Sequence, residues 1–215
     1  MGLVLITAFI LHKGSLAWVI SKLPFIEQKH LQIPKITLPS VDGRILLIGD
    51  SHLAIHPWSE YSTLPFSNRA VSGLRIKDIN IDTIKGYPAL VIVSASTNDI
   101  QVKKPLSTED IKASLKALFL SIKNRWPDSI IVYVSAPHPN VQIYEKYIKA
   151  KYPEINMPIP EQIEAIRNFV SSLGIIALQA KSANIDGVHI DVASAIAIKD
   201  EIEKIFANRT LHRTR

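Results

Sequence analysis

Cysteine is absent from the 215-residue chain, which excludes disulfides, thiolate catalysis and cysteine-ligated zinc or iron–sulfur sites. The absence fixes no compartment, because a chain without thiols suits reducing and oxidising surroundings alike. The 8 glycines nowhere form Gly-x-Ser-x-Gly, Gly-x-Gly-x-x-Gly or a P-loop, so the common α/β-hydrolase elbow and the common nucleotide-binding loops are missing. Internal repeats and low-complexity tracts are missing too. No aromatic platform is interleaved with basic residues. The net charge of +6 is spread over helical stretches such as Lys112, Lys116 and Lys123, and the one basic cluster, Arg209, His212, Arg213 and Arg215, reads as a tail over 209–215. Nucleic acid is therefore not an expected partner. With 47% hydrophobic and 20% charged residues, the chain is long and apolar enough for one folded domain with its own core.

The N-terminal residues form an apolar leader. Gly2 to Leu11 is continuously apolar, His12 to Ser15 interrupts it, and Leu16 to Phe25 resumes with Ser21 and Lys22 as polar breaks. A spanning helix needs about 20 apolar residues, and Lys13 near the middle would cost about 2.5–3.5 kcal/mol on insertion scales. Residues 1–25 are nonetheless read as a membrane anchor or uncleaved signal, because so apolar a leader has no place in the pattern that follows. Membrane association through residues 2–25 and a cell-envelope location, anchored or exported, are the expectation; a helix packed on a cytoplasmic domain is the alternative. Residues 26–43, with Pro34, Pro39 and no sustained period, read as a linker.

From Arg44 onward short apolar runs alternate with helical patterns. Arg44 to Ile48, Leu90 to Ala95, Ile130 to Val134 and Ile175 to Leu178 are rich in branched aliphatics and short enough to be strands buried on both faces, with Phe66 to Val71 a weaker member. Ser107 opens a helix with Asp110 as its capping-box acid and Ile111, Leu115, Leu118, Phe119 and Ile122 along one face, and Pro127 ends it. Ile159 to Leu173 and Val192 to Ala207 repeat the helical pattern. Such alternation predicts crossover units, hence a three-layer α/β/α sandwich on a parallel sheet over 44–208. The long Pro137 to Pro160 connection carries Tyr144, Tyr147 and Tyr152 and is expected to shape or cover a groove, or else to be a surface insertion.

Four polar groups follow these runs. Gly49-Asp50-Ser51-His52-Leu53 places Ser51 just past the carboxyl end of the first strand, where open α/β sheets hold their ligands. Asn68 to Gly73 and Ser96-Thr97-Asn98-Asp99 each follow a candidate strand. The Gly73 N–H, the Asn98 amide and the Ser51 N–H are donors suited to an oxyanion hole. Near the end, Asp186-Gly187-Val188-His189 puts an acid and an imidazole three residues apart on one turn, a spacing that lets the acid accept from one ring nitrogen while the other takes a hydroxyl proton.

In this order the four groups resemble the blocks of the SGNH hydrolases, also called the GDSL esterase/lipase family, from Arg44 to about Asn208. The resemblance implies a flavodoxin-like fold and hydrolysis of acyl esters without metal or other cofactor. It implies Ser51 as nucleophile, His189 as base and Asp186 as its orienter, with Ser51, Gly73 and Asn98 as the oxyanion hole. Substrates would be acyl esters of small molecules, carbohydrates or lipids. Two departures stand out: Ser96 occupies the usual glycine of the third block, and the glycine common after the histidine is missing from Ile190 to Ser194.

An acyltransferase would share the first half-reaction, and a membrane-tethered carbohydrate- or partner-binding module would keep the fold without turnover. A metallophosphoesterase could use Asp50, His52 and His56, but the further paired motifs of a two-metal site are absent.

Overall fold

The computed structural model describes residues 39–101, 104–150, 152–157, 159–183 and 186–213. They fall almost entirely in the unit Val41–Arg215. The apolar stretch 2–25 and most of the linker 26–43 lie outside the described residues, as do Asn184 and Ile185. Among the described residues, no helix is long and apolar enough to cross a membrane.

Five strands form the middle layer: β1 (Ile45–Gly49), β2 (Phe66–Asn68), β3 (Leu90–Ser94), β4 (Ile130–Ser135) and β5 (Ile176–Gln179). All pair in parallel in the order β2-β1-β3-β4-β5. Every residue of β1 and β3 is buried, as continuous apolar runs covered on both faces require. Alternation along the strands divides the core in two. Leu46, Ile48, Val91, Val93 and Tyr133 face α4 (Thr108–Arg125) and α6 (Pro160–Ser172), whereas Ile45, Leu47, Leu90, Ile92, Val132 and Val134 face Leu53, Trp58 and α7 (Val192–Arg213).

The α4 helix begins as expected. Ser107 Oγ accepts the Asp110 N–H at 3.1 Å and donates to Asp110 Oδ2 at 2.6 Å, and Ile111, Leu115, Leu118, Phe119 and Ile122 are all buried. Four shorter helical pieces are local: α1 (Ser51–Ala54), α2 (Trp58–Tyr61), α3 (Thr97–Ile100) and α5 (Val141–Tyr144), the last continued by a π-turn over Glu145–Lys149.

Several features differ from the sequence reading. Val41 is fully buried, with its N–H bonded to Lys85 O at 3.0 Å, so the packed body starts inside the expected linker. Helix α7 passes Ala207 and takes in Arg209, which donates to Asp128 O at 2.9 Å, so this part of the basic stretch is helical rather than a frayed tail. Tyr144 is buried, and its hydroxyl donates to Ile155 O at 3.2 Å, so it holds the long connection together rather than presenting a ring to a groove.

Candidate active site

A sheet of order 2-1-3-4-5 reverses its winding between β1 and β3, and the crevice at their carboxyl ends is where this topology leaves room for a ligand. The exit from β1 is tight. Gly49 has φ +126°, and a Cβ there would lie 1.7 Å from Ser94 O, so only glycine lets the strands stay in contact to their last residue. Asp50 N–H then bonds Ser94 O at 2.9 Å, and Asp50 Oδ1 caps α1 by accepting the His52 N–H at 3.1 Å. Burial pushes the Asp50 carboxyl up to about 7, against the opposing pull of that His52 N–H. Ser51 is the first residue of α1 and is 7% exposed.

The loop 186–189 meets it. Asp186 Oδ1 accepts the N–H groups of Val188 and His189, each at 3.0 Å, and Oδ2 faces His189 Nδ1 at 2.5 Å. His189 Nε2 stands 2.8 Å from Ser51 Oγ. An anionic Asp186 makes Nδ1 the protonated nitrogen and leaves Nε2 free to accept from the serine. Partial burial works against the Asp186 charge, but the hydrogen bonds from the His189 ring and the Val188 N–H outweigh it and hold the carboxyl well below its usual range. The turn depends on Gly187, at φ +79°, where a Cβ would lie 2.7 Å from Tyr144 N and 2.8 Å from Asn140 O. Asn140 N–H in turn donates to Gly187 O at 2.9 Å. The start of the long connection thus braces the acid–base loop, a task its sequence did not reveal.

The candidate oxyanion donors lie on two loops tied to each other and to β1. Val71 N–H bonds Gly49 O at 2.8 Å, and Gly73 follows with φ +82°. Asn98 Nδ2 donates one hydrogen to Leu74 O at 3.0 Å, which orients the amide and leaves its second hydrogen. The buried Asp99 accepts from Arg75 Nε at 3.2 Å and from Ile76 N at 3.1 Å, locking the Gly73 loop to α3. Ser96, where glycine was expected, has φ 105° and keeps the left-handed backbone that glycine would supply. Its hydroxyl lies 3.2 Å from the Tyr133 hydroxyl, which donates to Ala95 O at 2.9 Å. A buried hydrogen-bonded pair supports this strained turn in place of the missing glycine.

Arg75 escaped the sequence reading, and Thr97 and Asp99 were given no role of their own there, since their partners are remote in the chain. His52 and His56 were singled out only as metal ligands, and the structure gives them other work. His52 is fully buried with both ring nitrogens engaged, and His56 Nε2 donates to Ile190 O at 3.0 Å. Neither is disposed as a ligand with Asp50, and among the described residues no three carboxylate or imidazole groups are grouped to hold a metal ion.

The five-stranded parallel sandwich has counterparts among solved structures. Solved structures with this fold include a Streptococcus pneumonia protein assigned as a platelet activating factor (TM-score 0.61, 18% identity, 96% of this chain and 98% of that one). They also include a lipase/acylhydrolase from Enterococcus faecalis (TM-score 0.51, 12% identity, 77% and 96%). A carbohydrate esterase family 2 enzyme with a carbohydrate-binding domain, from Corynascus thermopiles, is similar as well (TM-score 0.55, 15% identity, 81% and 68%). By sequence, no family model and no curated protein matches the chain. The resemblance to the SGNH hydrolases therefore holds at the level of the fold, a three-layer α/β/α sandwich shared with GDSL-like lipases and acylhydrolases.

Proposed function

We propose that this chain is an SGNH-type serine esterase that cleaves acyl esters through an acyl-enzyme on Ser51. The observation that carries the reading is the unbroken relay from Asp186 Oδ2 through His189 to Ser51 Oγ: Asp186 and His189, three residues apart, meet at 2.5 Å, and His189 meets Ser51, 138 residues away in the chain, at 2.8 Å. Chance rarely aligns an acid, an imidazole and a hydroxyl in that order with the correct tautomer.

In this reading His189 Nε2 takes the Ser51 proton as Oγ attacks the ester carbonyl. Ser51 N–H, Gly73 N–H and the second hydrogen of Asn98 Nδ2 receive the oxyanion. His189 returns the proton to the departing alcohol, and a water deprotonated by the same nitrogen releases the acid. Asp186 holds the tautomer throughout. The likeness to lipases, acylhydrolases and a carbohydrate esterase supports ester chemistry, and we take the alcohol half to be a small molecule or carbohydrate. The apolar leader supports a place at the cell envelope.

Mass spectrometry after exposure to a fluorophosphonate tests the reading, with Ser51→Ala and His189→Ala beside the unaltered chain. The expected result is one adduct on Ser51, absent from both variants. A folded chain that takes up no adduct, or one that is labelled elsewhere, overturns it.

A further inference from the structure

Behind the reacting atoms, the three segments of the site are joined by a side chain that has no part in the relay. His52 follows Ser51, Thr97 precedes Asn98, and Ile190 follows His189. His52 contacts both of the others: Nε2 lies 3.0 Å from Thr97 Oγ1, and Nδ1 accepts the Ile190 N–H at 3.4 Å. Because a backbone N–H can only donate, Nδ1 is bare, Nε2 carries the proton, and Thr97 Oγ1 accepts it. His189 has the opposite tautomer, with its proton on Nδ1, although the two ring centroids are only 5.6 Å apart. His56 completes the clamp by donating to Ile190 O at 3.0 Å, so the residue next to His189 is held at both its N–H and its C=O by imidazoles from the Ser51 segment.

We propose that His52 is a positioning residue: by bridging Thr97 and Ile190 in its neutral, Nε2-protonated form, it sets where His189 and Asn98 stand relative to Ser51. The inference rests on the serine-esterase reading and adds a residue to it. His52 is fully buried, and burial, helped by the nearby His189, pushes its imidazole down to about 3, so the bridge is neutral near neutral pH. An apolar side chain of the same bulk could fill the space, but it would leave the Ile190 N–H and the Thr97 hydroxyl without their partner. A protonated imidazole would turn Nδ1 from acceptor to donor and set it against the Ile190 N–H. Either change loosens the register of two loops at once. Reacting groups displaced by about 1 Å lose on the order of 10²-fold in rate.

The test uses the full chain carrying His52→Leu, His52→Asn, Thr97→Val or the His52→Leu/Thr97→Val pair. It reads the rate of Ser51 labelling by a fluorophosphonate, together with kcat and KM on p-nitrophenyl acetate. His52→Leu is expected to lower labelling and kcat by about 10²-fold while KM moves by less than about twofold. His52→Asn, whose Oδ1 falls near the place of Nδ1 and can accept from Ile190, recovers part of that loss. Thr97→Val, equal in shape, costs a smaller factor, and the double variant is no worse than His52→Leu alone. Labelling and kcat at the unaltered level in Thr97→Val and in a His52→Leu protein of normal near-UV dichroism overturn the inference, as does a double variant whose losses multiply. Should His52→Leu not fold, Thr97→Val and His52→Asn decide: both at full rate refutes the bridge, and slowed labelling with unmoved KM in Thr97→Val supports it. If the unaltered chain itself is not labelled, the serine reading has failed, whereas normal labelling with indifferent variants fails the positioning role alone.

Discussion

Asn98 gives one amide hydrogen to Leu74 O, and the reading needs the other for the oxyanion. Asn98→Ala is therefore expected to lower kcat by about 10²–10³ with little change in KM, as loss of one such donor does elsewhere. Steady-state kinetics on a chromogenic ester decides, and unchanged turnover removes Asn98 from the site. Two buried titrating groups flank Ser51 and oppose each other in stability. Asp50 is raised from 3.8 to about 7, so between roughly pH 4 and 7 the folded chain keeps a proton that the unfolded chain releases, and stability falls as pH rises through that window. His52 is lowered from 6.5 to about 3, so its contribution is full above pH 6.5 and is lost as pH falls toward 3. Asp50→Asn can still cap His52 N–H through its Oδ1 and removes only the first effect. Denaturant titrations should show the variant gaining on the unaltered chain steadily from pH 4 to 7. A pH-independent difference would mean that Asp50 does not titrate in that range.

Among the elements, the 186–189 turn depends closely on a neighbour, because Gly187 packs against the backbone of Asn140 and Tyr144. Gly187→Ala puts a Cβ into that backbone at positive φ, which costs about 1–3 kcal/mol in strain alone. The expected outcome is a lowered melting temperature together with loss of fluorophosphonate labelling, and full labelling in the variant would show that the turn tolerates displacement. The strands and long helices were legible in the sequence for a simple reason: β1, β3 and β4 are buried on both faces, so nearly every position is apolar, and α4 carries both its cap and its apolar stripe in the local pattern. The four-residue helices α1, α2 and α3 carry no such period. They rest on contacts outside any helical period: the Asp50 cap for α1, the Trp58 Nε1–H bond to Leu53 O for α2, and the Asp99 bonds to Arg75 and Ile76 for α3. The proposed triad residues could be named from an order of motifs, whereas the His52 bridge could not, since each of its bonds joins residues 45 or 138 positions apart.

For the whole molecule, the fold and the relay described above lie within Val41–Arg215. If residues 2–25 anchor the chain, the full-length protein will sediment with membranes and be released by detergent, while a chain lacking them will stay in the supernatant with its esterase activity. Full-length protein recovered in the supernatant without detergent would end the anchor reading.

The relay also ties reactivity to the progress of synthesis. Ser51 is made 138 residues before its proposed base, with α7 still to follow. A growing chain can pair β1 with β3 and β3 with β4 yet, until residue 189 is added, carry only an ordinary serine alcohol. In the proposed reading reactivity arrives only when the segment carrying His189 meets the one carrying Ser51, so a labelled Ser51 counts the chains in which those two segments have come together.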